Sequence, residues 1–379
     1  MKTALIFGVT GQDGFYLSKL LLEKGYRVIG VKRRSSVDNT TRLHSLLSNY
    51  KTFEVVEGDV TDFTSVFNLL TSYHPFEIYN LAAQSHVHTS FEQPAYTSNV
   101  NYNGVLNILE VMRKVLPLSR FYQANTSEMF GNNYSIEMSY DQYTVIEHFN
   151  IEKTKFIDLW SSIFCGQDDK EFLHSKVHQM IKDGHEFATP FQYESTPFSP
   201  MSPYAVSKAA AHYLVGNYRK AYNLHASAGI LFNHECPLRG DNFVTQKIAK
   251  YIGRLNKHGD MFGNYNDFPK LKLGNLQAKR DWGHAEDYVR AMWLMLQQTE
   301  PDDYVVATGE THTVEEFCQI AFDKINLNYK DFVEVDKSLF RPSEVPYLLG
   351  RADKAKEKLG WSPTITFKEL VEEMVDAQL

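Results

Sequence analysis

Cysteine is scarce: three residues in 379, Cys165, Cys236 and Cys318. They are scattered, odd in number and without metal-ligand spacing. That excludes a disulfide scaffold and fits a reduced, cytoplasmic compartment. No apolar run approaches the ~20 residues that a membrane span requires. No internal repeat or low-complexity tract occurs. Positive charge is also short, and the net charge of −7 argues against nucleic acid or an anionic membrane as the main partner. Met1 leads straight into an apolar strand, without a basic segment, apolar region and cleavage site, so no signal peptide is expected. Apolar residues are plentiful: 43% hydrophobic, 13% of the chain aromatic, enough to build one large core or two modest ones.

"TALIFG" (3–8) is a short apolar run closed by a glycine and reads as a buried strand. "DGFYLSKLLLEKG" (13–25) carries a helical apolar stripe ended by Gly25. "YRVIGV" (26–31), "FEVVEGD" (53–59), "FEIYNLA" (76–82), "FYQANTS" (121–127) and "ASAGILF" (226–232) repeat the strand pattern. Helices are predicted between them at about 62–73, 94–115 and 203–222. This alternation predicts a Rossmann-type α/β fold: a doubly wound parallel sheet, with ligands at the carboxyl ends of its strands. After about 236 the pattern becomes a smaller mixed α/β lobe. Residues 132–195 hold two plausible helices, about 151–163 and 169–183, and read as an insertion serving as a lid or contact surface. The expected units are 1–131 with 196–235 and 283–308 for the dinucleotide, 132–195 for the insertion, and 236–282 with 309–379 for substrate.

"GVTGQDG" (8–14) joins the first strand to the first helix, with Gly8, Gly11 and Gly14 at three-residue spacing. Such glycines let the backbone turn tightly and approach a pyrophosphate at a helix N-terminus. The plainer reading is a structural turn. The second strand ends in "VKRRSS" (31–36). Lys32, Arg33 and Arg34 stand where an NAD-preferring chain often has an acid, and they suit a 2′-phosphate, hence NADP. A solvated basic loop is the alternative. Asp59 is a candidate for the adenine edge, or a simple turn aspartate.

"SPYAVSK" (202–208) places Tyr204 and Lys208 four apart at a helix start, on one face. A lysine ammonium beside the phenol, and a nicotinamide cation above it, favour the phenolate that takes an alcohol proton. "NTSEMFG" (125–131) supplies Thr126, or Ser127, as a hydroxyl. It also supplies Glu128, a carboxylate for which simple alcohol oxidation has no use.

The order of glycine loop, "NTSE" and Tyr-x-x-x-Lys resembles the extended short-chain dehydrogenase/reductases that act on nucleotide sugars. Within them the chain is similar to the GDP-mannose 4,6-dehydratase family. "GVTGQDGFYLSKLLLEKGY", "EIYNLAAQSHV", "FYQANTSEMFG", "SPYAVSK", "NLHASAGILFNHECPLRGDNFVTQKI", "LGNLQAKRDWGHAEDYVRAMWLMLQ" and "FRPSEVPYLLG" carry the likeness, in that family's order. The resemblance implies C4 oxidation of a GDP-linked manno-configured sugar, removal of the C5 proton with loss of the 6-hydroxyl as water, and hydride return to C6. It implies a catalytic set of Thr126, Glu128, Tyr204 and Lys208, with Glu128 as the C5 base. NADP should meet Gly8, Thr10, Gly11, Gln12, Asp13, Gly14, Arg33, Arg34, Ser35, Ser36, Asp59, Val60, Leu81, Ala82, Ala83, Ser85, Tyr96, Tyr204, Lys208, His234 and Arg239. The sugar nucleotide should meet Ser85, Glu128, Tyr204, Asn233, Lys247, Arg280, Arg341 and Glu344. Cationic Lys247, Arg280 and Arg341 also suit a diphosphate on chemical grounds. A net redox-neutral reaction implies tightly held NADP. The resemblance further implies a homodimer or homotetramer.

The chain also departs from that pattern. The insertion replaces a shorter connection just after Glu128, and Met201 and Leu238 stand where the family commonly shows arginine. These changes leave GDP-mannose and a GDP-manno-heptose both open as substrate. A 4-epimerase or 4-reductase is the second enzyme reading, and a non-catalytic NADP-binding sensor or scaffold the third. His174 and His178 lack a third ligand at suitable spacing, so no metal is expected. Structural bonding is expected of His86 and His88, and core packing of "MWLMLQ".

Overall fold

The computed structural model describes residues 1–140, 143–150, 190–265, 267–340, 345 and 347–379. The helices expected at 151–163 and 169–183 lie outside the described residues, as do Cys165, His174, His178, Arg341 and Glu344.

Seven strands form one sheet: β1 (Thr3–Phe7), β2 (Arg27–Lys32), β3 (Phe53–Glu57), β4 (Glu77–Asn80), β5 (Arg120–Thr126), β6 (Ala226–Leu231) and β7 (Asp303–Val306). All neighbours are parallel, in the order β3-β2-β1-β4-β5-β6-β7. The order reverses between β1 and β4, and the crevice outside that point is where such sheets bind ligands. β1 shows why the sheet is covered on both faces. Ala4 and Ile6 point into one core with Leu17, Leu21, Met292, Met295 and Trp361. Leu5 and Phe7 point into the other with Ile29, Ile108, Leu109, Phe121 and Val215. Side chains alternate along a strand, so a continuous apolar run feeds two cores. Each fully buried aliphatic side chain contributes about 1.5–3 kcal/mol.

Helices α1 (Gln12–Glu23), α2 (Phe63–Tyr73), α3 (Gly104–Val115), α4 (Pro203–Tyr222), α5 (Val244–Phe262) and α6 (Ala285–Gln297) surround these strands and build the second lobe. The ends of α4 are written in its sequence. Ser202 Oγ accepts the Ala205 N–H at 3.1 Å, Pro203 opens the first turn, and Asn223 closes the helix at φ +53°. Met292, Met295 and Leu296 of α6 are core residues, as expected of "MWLMLQ".

One element differs from expectation. The helix foreseen over 94–115 is interrupted by a π-type turn at Asn99–Asn103 between Pro94–Ser98 and α3. Asn101 is the cause. It is buried, its Oδ1 accepts from Gln84 N at 2.9 Å, and its Nδ2 reaches the Ser207 hydroxyl at 3.0 Å. An extra residue in the turn lets this side chain point inwards.

In the smaller lobe, α5 packs with α7 (Val314–Asp323) and α8 (Phe367–Asp376) around Ile248, Ile252, Trp282, Phe317, Phe322, Phe367 and Met374. Trp282–His284 lies parallel to Asn233–Glu235, so the lobe grows directly out of β6. Asp287 in α6 clamps the C-terminal segment through Thr364 N, Thr364 Oγ1 and Ile365 N. The described start of the insertion is an antiparallel hairpin, Asn133–Tyr140 with Tyr143–Asn150, which the sequence reading did not foresee.

Candidate active site

The loop after β1 meets the loop after β4. Gly8 has φ +84°, and a Cβ there would sit 2.7 Å from Ala82 N. A Cβ on Gly14 would sit 2.4 Å from Val9 O, so this glycine lets α1 press against its own loop. Gly11 differs: its Cβ would meet nothing closer than Gly8 O at 3.4 Å. It caps α1 without a side-chain bond, so the first-turn N–H groups face this open side. That is an anion cradle, and the residues present fit the pyrophosphate of a nicotinamide dinucleotide. Thr10 turns its carbonyl to Arg42 Nη1 at 3.1 Å. Arg42 was not singled out from sequence; only a basic residue in the short turn after "VDNT" marks it.

Asp13 and His234 form a buried pair, Oδ2 to Nε2 at 2.9 Å, while His234 Nδ1 donates to Phe232 O. Burial alone would lower His234, but the Asp13 charge and bond outweigh it and raise its pKa. Burial would likewise raise Asp13, yet His234 and Arg239 hold it below its usual value. Gln12 turns its side chain inwards to the His234 carbonyl at 2.8 Å. Arg239 pairs with buried Glu235 at 2.9 Å and lies over the Phe243 ring. Glu235 is a second residue that sequence reasoning missed; burial raises its pKa despite Arg239.

At the basic loop, Arg33 Nη1 is bonded to Tyr96 Oη. Arg34, Ser35 and Ser36 are exposed beside it. Asp59 Oδ1 accepts from Thr61 N at 2.9 Å and Thr61 Oγ1 at 2.7 Å. That oxygen does the turn work, the plainer of its two readings. Val60 is buried beneath the same turn. Leu81, Ala82 and Ala83 line the strand-end crevice, and Ser85 is exposed just beyond them. His86 bonds Thr89 and caps the helix Val87–Glu92, a structural role.

Thr126 is the last residue of β5. Its Oγ1 accepts from Glu128 N at 3.3 Å and caps a single turn, Ser127–Met129, which sets Glu128 half-buried at the strand end. Tyr204, in the first turn of α4, is 8% exposed. Burial pushes its hydroxyl up to about 12; a hydrogen bond with Thr126 pulls the other way, and the Glu128 charge adds to the rise. Lys208 lies four residues on in the same helix. Its Nζ donates to the Ala124 carbonyl at 2.7 Å, and burial brings its ammonium down to about 8. Thr126, Glu128 and Tyr204 are thus brought together, with Lys208 one helical turn below.

Asn233 opens the short strand that follows β6. Arg280 is buried, its Nη1 bonded to the Lys279 carbonyl at 2.8 Å. Lys247 is exposed and lines a groove of about 480 Å³ with Lys250, Arg254, Lys257 and Asp241.

The sequence profile of the GDP-mannose 4,6 dehydratase family matches residues 5–144 and 184–374. The unmatched stretch between falls inside the insertion. The chain is 46% identical, over its whole length and 90% of the relative's, to GDP-mannose 4,6 dehydratase 1 of Arabidopsis thaliana. It is 40% identical to the Homo sapiens GDP-mannose 4,6 dehydratase, over its whole length and 91% of that protein. Among solved structures, a Thermotoga maritima UDP-glucose 4-epimerase superposes with TM-score 0.73 at 19% identity, covering 99% of this chain and 98% of the other. A Bacillus anthracis dTDP-glucose 4,6-dehydratase gives TM-score 0.71 at 18% identity, covering 100% and 96%. At such identities the structures show the shared fold, whereas the relatives cover the chain from end to end and both matched parts of the family profile hold the candidate residues, Thr126 and Glu128 in the first, Tyr204 and Lys208 in the second. This chain belongs to the GDP-mannose 4,6-dehydratase family, an enzyme family of hydro-lyases.

Proposed function

We propose that this chain is an NADP-dependent dehydratase of a GDP-linked manno-configured sugar, either GDP-mannose or a GDP-manno-heptose, yielding the 4-keto-6-deoxy sugar. The observation that carries the reading is Glu128, held by the Thr126 cap close enough for its charge to act on Tyr204. Oxidation at C4 alone needs a hydroxyl and a phenolate. A carboxylate beside them matches the further need to remove the C5 proton.

When bound, the nicotinamide accepts the C4 hydride and returns it at C6. Tyr204 takes the 4-hydroxyl proton, with Thr126 bonded to the same oxygen. The 4-ketone acidifies C5; Glu128 takes that proton and passes it to the 6-hydroxyl, which leaves as water, and once hydride has returned to C6 a solvent-exchanged proton is delivered to C5. Lys208 holds Tyr204's helix against β5 and supplies a cation under the site. Arg33 and Arg34, with Arg42 near Thr10, support a 2′-phosphate and hence NADP over NAD. The remaining contacts are proposed as read from the sequence, including His234 and Arg239 for the cofactor and Asn233, Lys247, Arg280, Arg341 and Glu344 for the sugar nucleotide. We keep the three-unit division 1–131 with 196–235 and 283–308, 132–195, and 236–282 with 309–379.

A homodimer or homotetramer in the cytoplasm completes the proposal. Exposed Val206 and Tyr213 on α4 support self-association. No helix among the described residues is long and apolar enough to cross a membrane.

The test is mass spectrometry of purified protein in deuterated water, with each GDP-sugar and no added NADP. Loss of one water with one carbon-bound deuterium gained supports the dehydratase, and the better substrate identifies the sugar. Retention of the water by both sugars sinks the proposal and favours a 4-epimerase, a 4-reductase or a non-catalytic NADP sensor.

A further inference from the structure

The insertion is stitched into the strand that carries Arg280. Segment 347–351 runs between two neighbours. On one side, Tyr347 and Lys279 form a parallel bridge, and Leu348 N donates to the Lys279 carbonyl at 3.2 Å. Gly350 N donates to Asp281 Oδ2 at 3.1 Å. On the other side, Gln192 N donates to Leu349 O at 2.8 Å, and Arg351 N donates to Gln192 O at 2.9 Å. Tyr134 Oη donates to the Tyr347 carbonyl. The Lys279 carbonyl that accepts from Leu348 also accepts from Arg280 Nη1. One oxygen therefore ties the guanidinium to a segment whose far edge belongs to the insertion.

The insertion side of this joint is closely packed. Tyr134 and Gln192 are fully buried. Gln192 Nε2 donates to Asn133 O at 3.0 Å, closing the two ends of the insertion on each other. Gly131, with φ +55°, packs so tightly that a Cβ would overlap Ser199 O, so the turn after Glu128 has no room to shift. The Arg280 cation and the Glu128 anion act on the Tyr134 hydroxyl in opposite senses, which places this side chain within electrostatic range of both. A guanidinium recognises a diphosphate through a fork whose orientation matters as much as its charge.

We infer that Tyr134 and Gln192 are positioning residues, which act through segment 347–351 to set where the Arg280 guanidinium meets the diphosphate of the substrate. The inference rests on the proposed role of Arg280 in holding a GDP-sugar. The insertion is then a brace for the phosphate end of the site and not only a cover for the sugar.

Calorimetry of the full-length holoenzyme with GDP and with guanosine tests this, because guanosine lacks the groups Arg280 would hold. Tyr134→Phe keeps the ring, Gln192→Leu keeps the volume, and each loses its side-chain bonds. Each is expected to weaken GDP about five- to tenfold and to leave guanosine unchanged. Ser135→Ala breaks bonds to His148 inside the insertion and to Thr196 just after it, and should change neither ligand. Adding Tyr134→Phe to Arg280→Gln should produce no further loss of GDP. Equal weakening of both ligands, or full additivity with Arg280→Gln, overturns the inference. Wild-type protein that binds no GDP overturns the GDP-sugar reading and this inference with it; intact GDP binding in Tyr134→Phe and Gln192→Leu overturns this inference alone.

Discussion

Asp13 and His234 are 221 residues apart in the chain and 2.9 Å apart in space. The pair pins the phosphate loop to the strand from which the second lobe grows. Its pH dependence follows from the two shifts. His234, raised in the folded chain, contributes stability that is fully present below its unfolded pKa of ~6.5 and is lost as pH rises through its folded value. Asp13, lowered, contributes stability that is present above ~3.9 and is lost as pH falls through its folded value. Asp13→Asn should therefore lower Tm most between about pH 4 and 6.5, with the gap to wild type narrowing above that window. Thermal unfolding across pH measures it; a gap that widens above pH ~7 contradicts the pairing.

Glu128→Gln removes the proposed C5 base and leaves Tyr204 and Thr126 in place. Turnover should fall by roughly 10²–10⁴-fold, the usual worth of a general base. The reaction should stop after C4 oxidation, so absorbance of the reduced cofactor should accumulate on adding substrate. Undiminished water loss would remove Glu128 from the mechanism.

Thr126 and Glu128 act on Tyr204 in opposite directions. The hydrogen bond from Thr126 lowers a hydroxyl that burial holds near 12. Thr126→Val should therefore raise it further and slow C4 oxidation about fivefold at neutral pH, since a net hydrogen bond is worth about 1 kcal/mol. The acid limb of the single-turnover rate should move to higher pH. Movement to lower pH would show that Thr126 does not stabilise the phenolate.

Lys208 is buried and its ammonium is brought down to about 8 by that burial. A folded value below the unfolded ~10.4 means the charged form is held at a cost below about pH 8. Lys208→Met should raise Tm at pH 7 while abolishing turnover. A drop in Tm would mean that the bond to Ala124 outweighs desolvation.

Much of this enzyme is readable in its chain because the relevant physics is local. The apolar run Ala4–Phe7 alternates between two cores, and that predicts a sheet covered on both faces. The spacing of Gly8, Gly11 and Gly14 states a tight turn and a close approach. The four-residue step from Tyr204 to Lys208 states a shared helix face. Ser202, Pro203 and Asn223 announce where that helix begins and ends.

Tertiary structure decided what those groups experience. Lys208 found the Ala124 carbonyl 84 residues earlier in the chain, and burial between α4 and β5 set its charge. Asn101 broke a predicted helix to reach Gln84 and Ser207. Arg42 gained importance through Thr10, 32 residues earlier, and Glu235 through a burial that no sequence window states. The seam that joins Gln192 and Tyr134 to segment 347–351 arose from pairing between distant segments. Periodicity, caps and turns depend on residues a few positions apart and so are written in the sequence. Desolvation and charge coupling depend on distances through space, which exist only once the chain has folded.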